Sequence, residues 1–142
     1  MILVDANLLI YASVDSMRQH PASRAWLHER LAGTTKVGLP WHSLLAFLRI
    51  VTNPRLFQPA ASITGAWRTV ESWFESPVVW IPQPTATHRK VLGTLLVDDV
   101  RDELVSDAHL AALAIEHGLT MCSTDGDFAR FAGVRWENPL AA

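Results

Sequence analysis

The stretch MILVDAN, Met1–Asn7, opens with an unbroken apolar run that stops on a carboxylate, Asp5. Consecutive apolar residues with β-branched Ile2 and Val4 among them read as a short strand buried on both faces, as the strands of a parallel sheet are. A second run, Leu119–Ser123, also leads into an acid, Asp125. Two such strands place their acids at the carboxyl edge of one sheet, the edge where open α/β proteins bind ligands.

Between these runs, strand and helix patterns alternate. Asn7–Ala12 starts a helix after the first strand, and Pro21 opens another through Leu31, with Trp26, Leu27 and Leu31 on its apolar face and Gly33 as its stop. Lys36–Leu39 reads as a strand and Trp41–Val51 as a helix closed by the turn at Asn53-Pro54. From Ala60 to Glu75, Ile63, Trp67, Val70 and Phe74 recur at helical spacing and predict the buried face of a fourth helix, ended by Pro77. Val78–Ile81 predicts a strand and Thr85–Leu96 a helix. An Ala-rich helix over Asp102–His117 stops at Gly118 before the strand Leu119–Ser123, and Val134–Trp136 adds a terminal strand. The alternation predicts a mainly parallel sheet wrapped by helices on both faces.

The chain is 142 residues long, the size of one domain that folds alone or as half of a dimer. Its longest apolar stretch, Leu44–Val51, is interrupted by Arg49 and falls far short of the roughly 20 residues a membrane helix needs. The start has no basic region before its apolar run, so no secretory signal is expected. Cys122 is the lone cysteine, which excludes a disulfide framework and a cysteine metal cluster and fits a reducing cytoplasm. A net charge of −2 argues against a strong overall positive field for gripping nucleic acid. All basic residues except Lys36 and Lys90 are Arg, which suits local phosphate binding and equally fits a coding bias.

Each acid has an ordinary explanation when taken alone. Asp5 or Asn7 caps a helix well. Asp107 lines up with Ala111 and Ala114 on a face of small residues, where a carboxylate needs a cation or several donors, unless Ser106 or Asp107 itself starts a shorter helix. Asp125 and Asp127, in STDGDF, make an Asx turn into a short helix over Asp127–Phe131.

In combination, the opening ILVDAN, the middle PWHSLLAFLRIVTNPR, the late LVSDAHLAALAIEHG and the closing STDGDFARF resemble the PIN-domain ribonucleases of the VapC toxin type. The resemblance runs from Met1 to Pro139. It implies a single PIN domain over residues 1–142, a three-layer α/β/α sandwich whose acids hold Mg²⁺ or Mn²⁺ and cut RNA. Asp5 matches the first family acid, Asp107 the acid of the late helix and Asp125 the acid after the last long strand; Asp127 is a neighbour that reaches the metal through water. Thr124 or Ser123 corresponds to the small hydroxyl residue beside the first acid. The resemblance also implies a homodimer and a VapB-type antitoxin partner, with Trp26, Trp41, Trp67 and Trp73 in the helices that build the dimer face and the antitoxin groove. Core is the default expectation for any single Trp.

The chain departs from the family pattern on the third helix, where a Glu is common and Ala46 stands here. His42, Ala46, Arg49 and Asn53 form a stripe expected to face the cleft without a carboxylate. Glu103, one turn before Asp107, either restores the lost charge or is an exposed acid favoured by the helix dipole.

Asp5 and Asp107 are the expected direct ligands of one hard cation, which activates a water and neutralises charge at the scissile phosphate. Mutual repulsion among Asp5, Asp107 and Asp125 is expected to raise at least one pKa. Arg49, Thr124 and Asn7 are candidate substrate contacts, with Arg55 and Arg18 nearby in the order of the motifs. Single-stranded or looped RNA is the expected substrate because its backbone bends into a narrow cleft. His20, His28, His88, His109 and His117 read as scattered structural or surface residues. Two alternatives stay open: a catalytically degenerate PIN domain that binds RNA or antitoxin without cutting, and a phosphatase with an aspartyl nucleophile. Asn7 in place of a second acid, and the lack of a suitably placed Lys, count against the phosphatase.

Overall fold

The computed structural model describes residues 1–141. Five short strands form one all-parallel sheet in the order β3-β2-β1-β4-β5: β1 (Ile2–Val4), β2 (Val37–Gly38), β3 (Val79–Trp80), β4 (Thr120–Cys122) and β5 (Arg135–Glu137). Among the described residues six α-helices connect and cover them: α1 (Ala6–Ser13), α2 (His20–Leu31), α3 (Trp41–Val51), α4 (Ile63–Trp73), α5 (His88–Leu95) and α6 (Glu103–His117). Among the described residues no helix is long and apolar enough to cross a membrane.

Strand periodicity divides the core into two layers. On β1, Ile2 and Val4 join α1–α4 on one side, with Leu9, Leu44, Phe47 and Val70, whereas Leu3 packs with α6 on the other, against Leu110, Ala111 and Leu113. On β4, Cys122 belongs to the first layer and Met121 to the second. Burial pushes the Cys122 thiol up to about 12, so it behaves as a core residue rather than a nucleophile.

Two glycines have steric reasons. Gly118 ends α6 in the left-handed region, φ 65°, and its N–H closes on the Ala114 and Ile115 carbonyls. At Gly38 a Cβ would stand 3.0 Å from Pro82 Cγ and 3.3 Å from the Ile2 carbonyl, so β2 could not approach β1 and the Pro82 segment as it does.

The fourth helix departs from expectation. It buries Ala66, Val70 and Trp73, leaving Ile63 59% and Trp67 41% exposed. Phe47 meets Trp73 edge to face with ring centroids 4.9 Å apart, and that pair, with small Ala66 allowing close approach, turns the helix away from its largest apolar stripe. Trp41 is likewise exposed, so core packing does not account for Trp41 or Trp67.

Candidate active site

Parallel pairing of β1 with β4, Val4 opposite Cys122, brings the residues that follow each strand side by side. Those residues are Asp5 and Ser123. The buried Ser123 hydroxyl donates to Asp5 Oδ2 at 2.7 Å, and accepts from Asn7 Nδ2 at 3.1 Å and the Asp125 amide at 3.0 Å. Asp5 also caps α1, its Oδ1 accepting from the Ala6 amide at 2.8 Å, so the capping explanation holds together with the site geometry. Thr124 makes no side-chain hydrogen bond among the described residues; the hydroxyl that touches the first acid is Ser123. The β1/β4 register is the signal that distinguishes the two, because it pairs Val4-Asp5 with Cys122-Ser123.

Asp107 lies in the second turn of α6, which starts at Glu103, so the shorter helix with Asp107 at its cap does not form. Asp125 precedes a 3₁₀ turn, Gly126–Arg130, and accepts from the Asp127 amide at 2.9 Å, the expected Asx turn. Ligand oxygens of Asp107, Asp125 and Asp127 all lie within 4.8 Å of one another. Asp127 is a full member of this triple, and Asp5 stands near enough to act on the Asp107 carboxyl. The Asx turn folds Asp127 back toward Asp125, while Ser123 and the Ala6 amide hold Asp5 at the strand end.

The carboxylates feel one another. Burial pushes Asp107 up to about 7, and Asp5, Asp125, Asp127 and Glu103 all add to the shift. Asp5 is also raised, because burial and then Asp125 outweigh the hydrogen bonds from Ser123 and Ala6 and the attraction of His42. Glu103 is exposed in the first turn of α6 and reaches Asp107 electrostatically.

The expected stripe on α3 divides. His42, at its start, is close enough to Asp5 to lower its carboxyl. Ala46 packs against the first core layer, Arg49 is exposed, and Asn53 is occupied in a turn, accepting from the Arg55 amide at 2.9 Å. Among the described residues the ion pair of an Arg or Lys is Arg130–Asp99, so Arg49 is unpaired.

Asn7 Oδ1 is buried without a hydrogen-bond partner, while its Nδ2 is bound to Ser123 beside Asp5. Every donor atom here is a hard oxygen, and the like charges repel. That set fits a hard divalent cation and suits no soft metal.

Two of the histidines expected to be scattered, His88 and His109, come together. His88 Nδ1 donates to Glu116 Oε2, and His88 Nε2 lies 3.0 Å from His109 Nδ1. Burial, followed by His88 and His42, holds His109 below the ordinary imidazole range. Glu116 experiences a burial penalty that raises it, but hydrogen bonds from Thr85 and His88 outweigh this and hold it low. Sequence spacing concealed this group because its members come from α3, α5 and α6.

The PIN-domain sequence profile matches residues 2–134. Ribonuclease VapC37 of Mycobacterium tuberculosis is 41% identical over 142 residues, covering 99% of each chain. Two solved structures share the fold: VapBC2 from Rickettsia felis bound to a promoter DNA fragment, TM-score 0.66 at 17% identity over 97% of this chain and 98% of that one, and Mycobacterium tuberculosis VapC20, a sarcin-ricin loop cleaving toxin, TM-score 0.65 at 22% identity over 95% and 99%.

Proposed function

The chain belongs to the PIN-domain family and, within it, to the VapC ribonucleases, and from that premise we propose that it is a divalent-metal-dependent endoribonuclease, the toxin of a toxin–antitoxin pair. The observation that carries the reading is the convergence of Asp107, Asp125 and Asp127 within 4.8 Å, beside Asp5, at the carboxyl edge of a parallel sheet. A Mg²⁺ or Mn²⁺ held by Asp107, Asp125 and Asp127, with Asp5 adjacent, supplies an activated water and neutralises charge on the phosphodiester when bound.

The chain's own residues do the rest. Ser123 orients Asp5 and, through the Asp125 amide, ties the two strand ends into one rigid floor. Asn7, whose Nδ2 donates to the same hydroxyl, keeps its Oδ1 buried without a partner. Arg49, exposed and unpaired, is available to a phosphate of the RNA backbone, and Thr124 flanks the floor as a second polar contact for the strand. Glu103 adds negative charge beside Asp107 where α3 carries Ala46 in place of an acid.

The test is cleavage of single-stranded RNA by the purified chain with Mg²⁺, with a chelator, and as Asp107→Asn. Cleavage that needs the metal and the acid supports the proposal; a folded protein that binds RNA but never cuts it favours the degenerate reading, for which Ala46 is the specific motive. We further propose a single domain over residues 1–142 that works in the cytoplasm as a homodimer and is held by a VapB-type antitoxin. Exposed Trp41 and Leu45 on α3, and Ile63 and Trp67 on α4, are apolar surface suited to such partners. Co-purification with the product of an adjacent small gene, and loss of that capture on Trp67→Glu, test the antitoxin.

A further inference from the structure

His42 stands at the same sheet edge as the acids. β1 and β2 run parallel, Leu3 opposite Gly38, so α1 and α3 leave the sheet from its carboxyl edge and pack side by side in the first core layer. Asp5 caps the start of α1, and His42 is the second residue of α3. From the other layer α6 brings His109, two residues beyond Asp107, and the His109 and His42 rings meet edge to face with centroids 6.1 Å apart. His42 is therefore placed between the helix that begins at Asp5 and the helix that carries Asp107, and it is close enough to act on the Asp5 carboxyl.

Four of the six histidines commit a ring nitrogen to a fixed partner: His20 to the Tyr11 carbonyl, His88 to Glu116 and His109, His109 to His88, and His117 to the Gln83 carbonyl. His28 is exposed on α2. His42 is half-buried, yet neither of its ring nitrogens makes a hydrogen bond among the described residues. The buried polar atoms without partners there are Asn7 Oδ1, Ser43 Oγ and Trp80 Nε1, so both His42 nitrogens reach solvent. The surface around them carries no acid from α3 itself: the helix reads WHSLLAFLRIV, and the stripe of His42, Ala46 and Arg49 offers donors and one small methyl group. Arg49 lies seven residues on, about 10 Å along the axis and on the same face.

We propose that His42 is a further substrate-binding residue of the cleft, its ring N–H donating to a non-bridging oxygen of an RNA backbone phosphate, on a track along α3 that Arg49 continues. The inference rests on the reading of the acids as an RNA-cutting site. A phosphodiester offers only acceptors, so the group that meets it has to be a donor. An imidazole keeps at least one N–H whether neutral or charged, and with neither nitrogen engaged the proton can sit on whichever atom faces the phosphate. The donor therefore exists in either protonation state of His42 and of its neighbours. Ala46 has the complementary part: a carboxylate at that place would repel the same phosphate.

The test measures binding in Ca²⁺ by fluorescence anisotropy, with a randomised single-stranded RNA pool, its all-2′-deoxy counterpart, poly(U) and poly(C). His42→Phe, which keeps a ring and removes both nitrogens, is expected to weaken binding about tenfold and by the same factor on every probe, the value of one hydrogen bond to a charged group that all four share. His42→Gln, which keeps a donor, is expected to retain most of the affinity. Mg²⁺ binding to both variants without RNA, measured by calorimetry, is expected to stay within about twofold of the native protein, as for a charge neighbour that is not a ligand. A loss confined to the RNA pool places His42 on a ribose hydroxyl, and unequal losses on poly(U) and poly(C) place it on a base; either overturns the proposal. So do binding unchanged in a folded His42→Phe, a His42→Gln as weak as His42→Phe, and Mg²⁺ binding that collapses in both variants. Native protein that binds no RNA at all defeats the proposed function itself, a result visible before any His42 variant is made.

Discussion

The start and the end of α6 each hold a carboxylate withdrawn from water, with opposite results. Burial is the largest influence on both Asp107 and Glu116, and it pushes both upward. At the start of the helix the neighbours are acids, and Asp107 rises to about 7. At the end the neighbours are a backbone amide, a hydroxyl and an imidazole, and Glu116 is held below its ordinary value. Burial therefore does not distinguish a binding site from a structural lock; the partners do. A carboxylate group left mutually repelling is arranged for something that arrives, whereas one saturated with donors is arranged to stay.

The sharpest way to break this contrast is to neutralise each end. Asp107→Asn is expected to lower Mg²⁺-dependent RNA cleavage by about a hundredfold or more while the protein stays folded, since removing a group that stabilises developing charge commonly costs that much; steady-state cleavage with a circular dichroism control measures it. Retained activity would show that the like-charged end is not the working end.

Glu116→Ala is expected to do the reverse. It leaves the Thr85 donors and His88 Nδ1 without an acceptor in a nearly closed site, so unfolding in urea should show a loss of about 1–3 kcal/mol, with Mg²⁺ affinity little changed. A stability unaffected by the substitution would refute the structural role.

The two ends also predict opposite pH dependences for the metal-free protein. Asp107 binds its proton more tightly folded than unfolded, so its contribution is present below its unfolded value of 3.8 and is lost as pH rises through about 7. Glu116 has the depressed value, so its contribution is present above its unfolded value of 4.5 and is lost as pH falls below that. Thermal melts from acid to neutral pH should show the first slope vanish in Asp107→Asn and the second in Glu116→Gln, and added Mg²⁺ should raise the melting temperature most at the alkaline end. A native slope that survives Asp107→Asn would assign it to another group.

The smallest effect expected is that of Glu103→Gln. Glu103 is exposed and acts on Asp107 through partly screened space, so Mg²⁺ affinity measured by calorimetry should weaken only about two- to threefold. No change would leave Glu103 as an ordinary acid of a first helical turn.

Much of the architecture is legible in local pattern. The runs Met1–Val4 and Leu119–Ser123, the Pro and Gly punctuation and the helical spacing each report a choice that a few neighbouring residues make among themselves. Asp5 and Asp125 stand out as acids that follow apolar runs and Asp107 as an acid on a small-residue face, while the family resemblance is what joined the three into one site. The exposure of Ile63 and Trp67 was not legible, because the rotation of α4 depends on Phe47 meeting Trp73 across the gap to α3. Ser123 rather than Thr124, and Asp127 as a full member of the acid triple, follow from the register of β1 against β4 and from a single turn.

What the sequence determined by itself is the order of elements, the sheet edge to which the acids belong and the family they resemble, because periodicity and chain breaks are properties of neighbours along the chain. Tertiary structure alone decided which oxygens stand within 4.8 Å of each other and which histidines join Glu116. Distances between residues remote in sequence are set by packing and strand register, and the strength of a charge or hydrogen bond depends on those distances rather than on the identity of either residue.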